Sequence, residues 1–303
     1  MMQRMHDGFK WLAVAGLTAG LLALGSGAIE DDDGPLPTRF LMSLSRGTLV
    51  ICGGGEISED VLHEFFAAAG GDQARVVVIT TASDRADSEE IEEELAFWRK
   101  QKLSRLTVLH TRSRETADDP EFASPLADAT GVWFVGGKQA HLADTYVGTV
   151  CDRLLHGVLE RGGVVGGVSA GAAVMSPVMI RAGETSPEIG KGFGLLPGTL
   201  IDQHFLARNR QERLLGALSE HPELVGLGID ERAAVVVRGS QMNVMGKSQV
   251  AACIWPSPDR DPKVEMLRPG QKANLLALSQ AANRSRPRRA SARTAGSNDT
   301  GGD

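Results

Sequence analysis

Gly167-Val168-Ser169-Ala170-Gly171 joins the apolar run Val164-Val165 to a string of small residues, the pattern of a strand that turns sharply into a helix. One serine hydroxyl therefore stands at a tight corner. Strand and helix backbones pass so close at such a corner that glycine or alanine must surround the serine. The helix start then points free N–H groups and a partial positive charge at any oxyanion formed there. A corner of this kind does chemistry only with partners, so the sequence downstream decides its meaning.

A serine nucleophile needs a base, and the base needs an orienting acid. Only two histidines follow Ser169. His221 precedes Pro222 in a polar stretch expected as a loop after a helix, whereas His204 lies in Ile201-Asp202-Gln203-His204-Phe205 and is the better candidate. Glu231 closes the apolar run Leu224 to Ile229, where a strand ends and the next side chain can emerge at the sheet edge. The order serine, histidine, acid differs from the serine, acid, histidine of α/β-hydrolases, so the elbow belongs to another fold.

Four separated segments carry a resemblance: Phe134-Val135-Gly136-Gly137-Lys138-Gln139; Gly166 to Ala172; Asp202-Gln203-His204-Phe205 with Arg208, Arg210 and Arg213; and Gly228 to Glu231. Together they resemble the cyanophycinase and aspartyl dipeptidase (peptidase E) family of serine exopeptidases, whose fold is like the class I glutamine amidotransferase domain. The likeness extends more weakly from Gly53-Gly54-Gly55 to about Cys253. It implies Ser169 as nucleophile, His204 as base and Glu231 as orienting acid. It also implies an oxyanion hole from the Ala170 N–H and a backbone N–H at Gly136 or Gly137. Gln139, Asp202, Gln203, Arg208, Arg210 and Arg213 would line the substrate pocket. Guanidinium forks suit that task, because an aspartyl residue and a chain-terminal carboxylate both need planar donors.

From Leu49 onward β-branched runs alternate with amphipathic segments, which predicts an α/β fold: a mostly parallel sheet flanked by helices. Strands are expected at Thr48–Cys52, Arg75–Thr80, Leu106–His110, Gly131–Val135, Val164–Val168 and Leu224–Ile229. Helices are expected after Ser58, over Ser88–Lys102 and as one long element over Gln139–Leu159. Ala233–Val237, Met242–Met245 and Val250–Ile254 read as C-terminal antiparallel hairpins. The resemblance implies the three-layer sandwich of the amidotransferase-like fold.

The 303 residues are 42% hydrophobic, enough for one sizeable core. A formal net charge of -6 offers no basic surface for nucleic acid, and that function class is set aside. Arg4 and Lys10, the apolar stretch Trp11 to Leu24 and Ser26-Gly27-Ala28 have the layout of an export signal over 1–28, with residues 29–46 as a linker. The apolar stretch is shorter than the roughly 20 residues of a membrane span, so no stable span is expected after processing and the mature chain would be periplasmic or extracellular, with an uncleaved membrane anchor as the less favoured alternative. The catalytic domain is expected over 47–278. From Ser279 the arginine- and serine-rich composition predicts a disordered tail over 279–303.

Cys52, Cys151 and Cys253 are too few and too scattered for a disulfide framework and read as buried small hydrophobes. No two cysteines or histidines have metal-ligand spacing, so no metal or other cofactor is expected. Gly53-Gly54-Gly55-Glu56 lacks the spacing of a dinucleotide fingerprint and reads as a tight turn at the sheet edge. Asp84, Asp87 and the glutamates 89, 90, 92, 93 and 94 read as a solvated helix start and face.

The implied reaction is hydrolysis of an aspartate-linked amide. By the resemblance, the substrate is cyanophycin, a polyaspartate backbone with arginine on its side chains, and the product a β-aspartyl-arginine dipeptide. Two departures bear on the substrate: Lys138 stands where family members commonly carry aspartate, and Val168 replaces the usual threonine. A lysine pointing at an arginine-bearing substrate would repel it, which keeps an aspartyl or isoaspartyl dipeptidase open. A catalytically silent exported binding protein is the reading from another class. An amidotransferase-like subunit would want cysteine where Ser169 stands. Relatives often form homodimers, but no patch in this sequence marks one.

Overall fold

The computed structural model describes residues 46–184, 186–255 and 261–283. The expected export segment, nearly all of the linker and residues 284–303 of the expected tail lie outside the described residues. The strands are β1 (Thr48–Cys52), β2 (Arg75–Ile79), β3 (Arg105–Leu109), β4 (Gly131–Phe134), β5 (Val164–Val168), β6 (Val178–Ala182) and β7 (Glu188–Lys191). They continue as β8 (Thr199–Gln203), β9 (Val225–Ile229), β10 (Ala233–Arg238), β11 (Gln241–Gly246), β12 (Val250–Ile254), β13 (Lys263–Leu267) and β14 (Lys272–Asn274). The helices are α1 (Glu59–Ala69), α2 (Ile91–Arg99), α3 (Arg114–Asp118), α4 (Pro120–Ala123), α5 (Gln139–Tyr146), α6 (Val150–Glu160), α7 (Ala170–Ala173), α8 (Gln211–Glu220) and α9 (Leu275–Asn283).

Among the described residues the main sheet has the order β14-β11-β10-β1-β5-β4-β2-β3. Its β1, β5, β4, β2 and β3 are parallel, and β10, β11 and β14 extend it antiparallel. Alternation within single strands shows that both faces are covered. Leu49, Ile51, Val77 and Ile79 enter one apolar cluster, while Val50, Cys52, Val76 and Val78 enter another. Burial on both faces is why these strands read as unbroken apolar runs. One face packs on α1 and α2 through Val61, Phe65, Leu95 and Trp98. The other packs on α5, α6 and α7 through Leu142, Tyr146, Leu155, Val158 and Ala172.

A second sheet, β13-β12-β9-β8, holds the parallel pair β8 and β9. Its outer cluster joins Leu200 and Ala251 to Leu214, Ala217 and Leu218 of α8. The separate ribbon of β6 and β7 is antiparallel.

Four expectations need correction. Gln139–Leu159 is not one helix: Gly148 turns at φ 79° between α5 and α6, its N–H donating to Asp152 Oδ2 at 2.7 Å. Val250–Ile254 does not continue the expected hairpins: β10 and β11 pair as expected, but β12 crosses to the second sheet and pairs with β9 and β13. The helix expected over Ser88–Lys102 shortens to α2. The first residues of the expected tail, 279–283, belong to α9, which buries Leu275, Ser279 and Ala282.

Candidate active site

β1 and β5 lie side by side with Cys52 opposite Val168, and the Ser169 N–H donates to the Cys52 carbonyl at 2.9 Å. The strand ends there, and Ser169 takes φ 56° and ψ -109° before α7 begins. Such a backbone costs on the order of 1–3 kcal/mol and persists only where packing imposes it. Here the packing is plain: a Cβ on Gly167 would come within 2.7 Å of the Gly171 carbonyl oxygen, and one on Gly171 within 2.6 Å of Phe134 Cβ.

The second sheet delivers the other two groups. His204 follows β8 and also has a positive φ, 49°, with its N–H donating to the Gly53 carbonyl at 3.0 Å. Its Nε2 lies 2.8 Å from Ser169 Oγ, and its Nδ1 lies 2.6 Å from Glu231 Oε1. The carboxylate can only accept, so Nδ1 carries the proton and Nε2 is free to accept from the serine. Burial holds the His204 imidazole below its ordinary pKa, with the positive charges of Arg208 and Arg210 adding to the effect and Glu231 opposing it. A neutral imidazole is the form that can take a proton.

Asp230 locks the His204 loop, a role the sequence did not reveal. One carboxylate oxygen accepts from the Leu206 and Ala207 N–H groups at 3.0 and 2.9 Å, and the other from Ser248 Oγ at 2.6 Å. Burial pushes this carboxyl up, but these hydrogen bonds outweigh it and hold the group below its ordinary value.

Gly53-Gly54-Gly55 proves to be more than an edge turn. The Gly54 carbonyl accepts from the Arg232 N–H at 2.8 Å, and a Cβ on Gly54 would overlap the His204 ring. The three glycines thus form the floor on which both the base and its acid rest.

Ala170 opens α7, and Gly137, at φ 136°, sits in the loop after β4 that passes Ser169. A Cβ on Gly136 would stand 3.7 Å from Ser169 Cβ. Ala170 and the Gly136-Gly137 loop thus flank the Ser169 side chain.

The arginine-rich group is arranged differently from an open polar lining. Asp202 and Arg213 are 1% and 4% exposed and form a two-pronged ion pair, with Arg213 Nε 3.0 Å from Asp202 Oδ2. Arg213 also donates to the Gly183 carbonyl at 2.7 Å. Burial raises the Asp202 pKa, opposed by the guanidinium of Arg213. Arg210 donates to both the carbonyl and the side chain of Gln203, and burial lowers its pKa to about 10. Gln139 donates to the Ile180 carbonyl at 3.0 Å, and Arg208 is exposed. Lys138 is exposed too, but its charge is engaged by Asp84 at 2.8 Å.

The three cysteines are free and buried, and burial raises their thiol pKa values, to about 12 for Cys151 and Cys253. Among the described residues no cluster of histidine, cysteine and carboxylate groups could hold a metal ion, and no helix is long and apolar enough to cross a membrane.

A serine hydrogen-bonded to a neutral imidazole that a carboxylate orients is the arrangement of serine hydrolases. Comparison with known sequences narrows the class: residues 48–245 match Peptidase family S51, and the chain belongs to that family. It is 33% identical over 217 residues to a cyanophycinase of Geminocystis herdmanii, covering 68% of this chain and 79% of that one. It is 31% identical over 218 residues to a cyanophycinase of Trichormus variabilis, covering 68% and 73%. The crystal structure of a peptidase from an acI-B1 actinobacterium shares the fold, with a TM-score of 0.57 and 23% identity over 78% of this chain and 99% of that one.

Proposed function

We propose that the protein is a cyanophycinase in which Ser169, His204 and Glu231 form the catalytic triad. The observation that carries this reading is the unbroken chain Ser169 Oγ, His204 Nε2, His204 Nδ1, Glu231 Oε1, with separations of 2.8 and 2.6 Å at its two hydrogen bonds. His204 takes the hydroxyl proton as Ser169 attacks the carbonyl of an aspartate-linked amide. The oxyanion gathers charge between the Ala170 and Gly137 N–H groups. His204 returns the proton to the leaving amine, and water then releases the acyl group by the same route reversed.

The names of the relatives support cyanophycin as substrate. Lys138 pairs with Asp84 at 2.8 Å, so its ammonium is directed at that carboxylate, which lessens its repulsion of an arginine-bearing chain. Asp202, Gln203, Arg210 and Arg213 act as a buried frame that shapes the pocket, leaving Gln139 and Arg208 nearer to the substrate. The positive start, apolar stretch and small-residue cleavage site of residues 1–28 support export, with residues 47–278 as the catalytic domain. An exported enzyme would act on polymer outside the cytoplasm.

Incubation of the purified protein with cyanophycin tests the reading. Release of β-aspartyl-arginine is the expected result. Cleavage of aspartyl or isoaspartyl dipeptides alone would reassign the substrate, and no hydrolysis of any of them would favour a silent binding protein.

A further inference from the structure

The glutamates at the start of α2 do not share one fate. Glu90 and Glu93 lie 3.6 and 2.9 Å from Arg85, and Glu92 pairs with Arg99 at 2.6 Å. Glu94 has no cationic partner among the described residues. It is half-buried, and Ser83 Oγ donates to its Oε1 at 2.8 Å, which fixes the carboxylate and leaves Oε2 without a partner among the described residues. Ser83 thus orients the Glu94 carboxylate, and its second oxygen can accept from an incoming cationic donor.

Glu94 also stands in the common wall of two cavities. One, of about 330 Å³, is lined by Trp98, Trp133, Phe97, Gly55 and Val168, and Glu94 is its single charged side chain. The other, of about 390 Å³, is lined by Ser83, Asp84, Gly137 and Arg85, whose guanidinium is engaged by Glu90 and Glu93. Gly136 borders both, in the loop that flanks Ser169. The first cavity is at the small end of ligand pockets, about 300–1,000 Å³, and so suits a single side chain better than a polymer segment. Trp98 and Trp133, 5% and 2% exposed with centroids 5.4 Å apart, back its aromatic wall, and Phe97 is 39% exposed at its edge. Aromatic faces beside one carboxylate favour a planar cation, above all a guanidinium.

We propose that Glu94, with Phe97 and Trp98, forms a guanidinium-binding subsite that selects arginine-bearing substrates, taking the arginine carried on a residue beside the scissile amide. The proposal rests on the reading of the protein as a cyanophycinase. None of the Gln139, Asp202, Gln203, Arg208, Arg210 and Arg213 group lines this cavity, so the subsite is separate from the expected carboxylate-binding residues. Ser83 is a positioning residue that holds Glu94 toward the cavity.

The test compares cyanophycin with the same polymer in which citrulline, a neutral isostere, replaces arginine. The wild-type protein is expected to favour the arginine polymer in kcat/KM by about tenfold, through KM, as one charge-assisted hydrogen bond provides. Glu94→Gln should bring that ratio close to one, and Glu94→Lys should invert it. Agmatine should inhibit the wild-type protein and lose about tenfold in potency against Glu94→Gln. A ratio that stays high in Glu94→Gln overturns the subsite, including the case in which the variant is slower on both polymers through structural damage. Equal wild-type cleavage of both polymers overturns the subsite alone. If the wild-type protein cleaves neither polymer, the cyanophycinase reading fails and takes the subsite with it.

Discussion

Gly54 lies directly beneath His204: its backbone, at φ 143°, comes so close to the imidazole that a side chain at position 54 would occupy the ring's place. The neighbouring Gly53 carbonyl receives the His204 N–H, and the Gly54 carbonyl receives the N–H of Arg232, next to Glu231. A loop at the end of β1 in the first sheet therefore sets the position of the base and acid contributed by the second. Gly54→Ala should displace the imidazole from Ser169 and lower kcat by at least tenfold, with a stability loss of about 1–3 kcal/mol from overpacking. Steady-state kinetics together with urea unfolding would show this, and an alanine variant with wild-type kcat would contradict it.

The pH dependence follows from the His204 environment. Burial, together with the arginine charges, holds its pKa below the ordinary value of about 6.5. The protonated imidazole cannot accept the serine proton, so kcat/KM should fall as pH drops through a midpoint below about 6.5 and stay flat through neutrality. Glu231 is the contribution that raises this pKa. In Glu231→Gln the midpoint should move to still lower pH, and the plateau should drop by as much as about 10⁴-fold. A midpoint that rises in that variant would contradict the assigned roles.

Asp202 and Arg213 are buried together, so removing one leaves the other without its charge partner. Arg213→Met should destabilise the protein by about 3–5 kcal/mol, and adding Asp202→Leu should recover a large part of the loss. Urea unfolding of the single and double variants reads this coupling. If Arg213→Met retained full stability and lost only substrate affinity, Arg213 would be an open substrate ligand instead.

Asp230 should make the active-site loop sensitive to acid. Its folded pKa is depressed by hydrogen bonds, so its stabilising contribution is present above the unfolded value of about 3.9 and is lost as pH falls through the folded one. Asp230→Asn removes that acid sensitivity and weakens the acceptors for Leu206 and Ala207. Stability profiles between about pH 2 and pH 6 for the two proteins should therefore converge at the acid end. Parallel profiles over that range would count against the role.

The sequence made the Ser169 corner readable because the constraint is local: small residues within five positions serve one strand and one helix. Glu231 was readable for a similar reason, as the first carboxylate beyond Asp230 at the end of an apolar run. β8 was not, since its last residues, Asp202 and Gln203, are polar yet buried, and the arginines that satisfy them lie on or near α8. The glycine floor was hidden because what forbids a side chain at Gly54 is a ring 150 positions away along the chain. Glu94 was hidden among glutamates of the same composition. Only the placement of Arg85, Arg99 and Ser83 separates it from them.

With Ser169 as nucleophile, its Oγ becomes covalently bound during the reaction. Treatment of the purified protein with a serine-reactive phosphonate, followed by peptide mass spectrometry, measures this directly. A single adduct on Ser169, absent in Ser169→Ala and greatly slowed in His204→Ala, is the predicted result. An adduct on another serine, or none while the protein still hydrolyses cyanophycin, would contradict it.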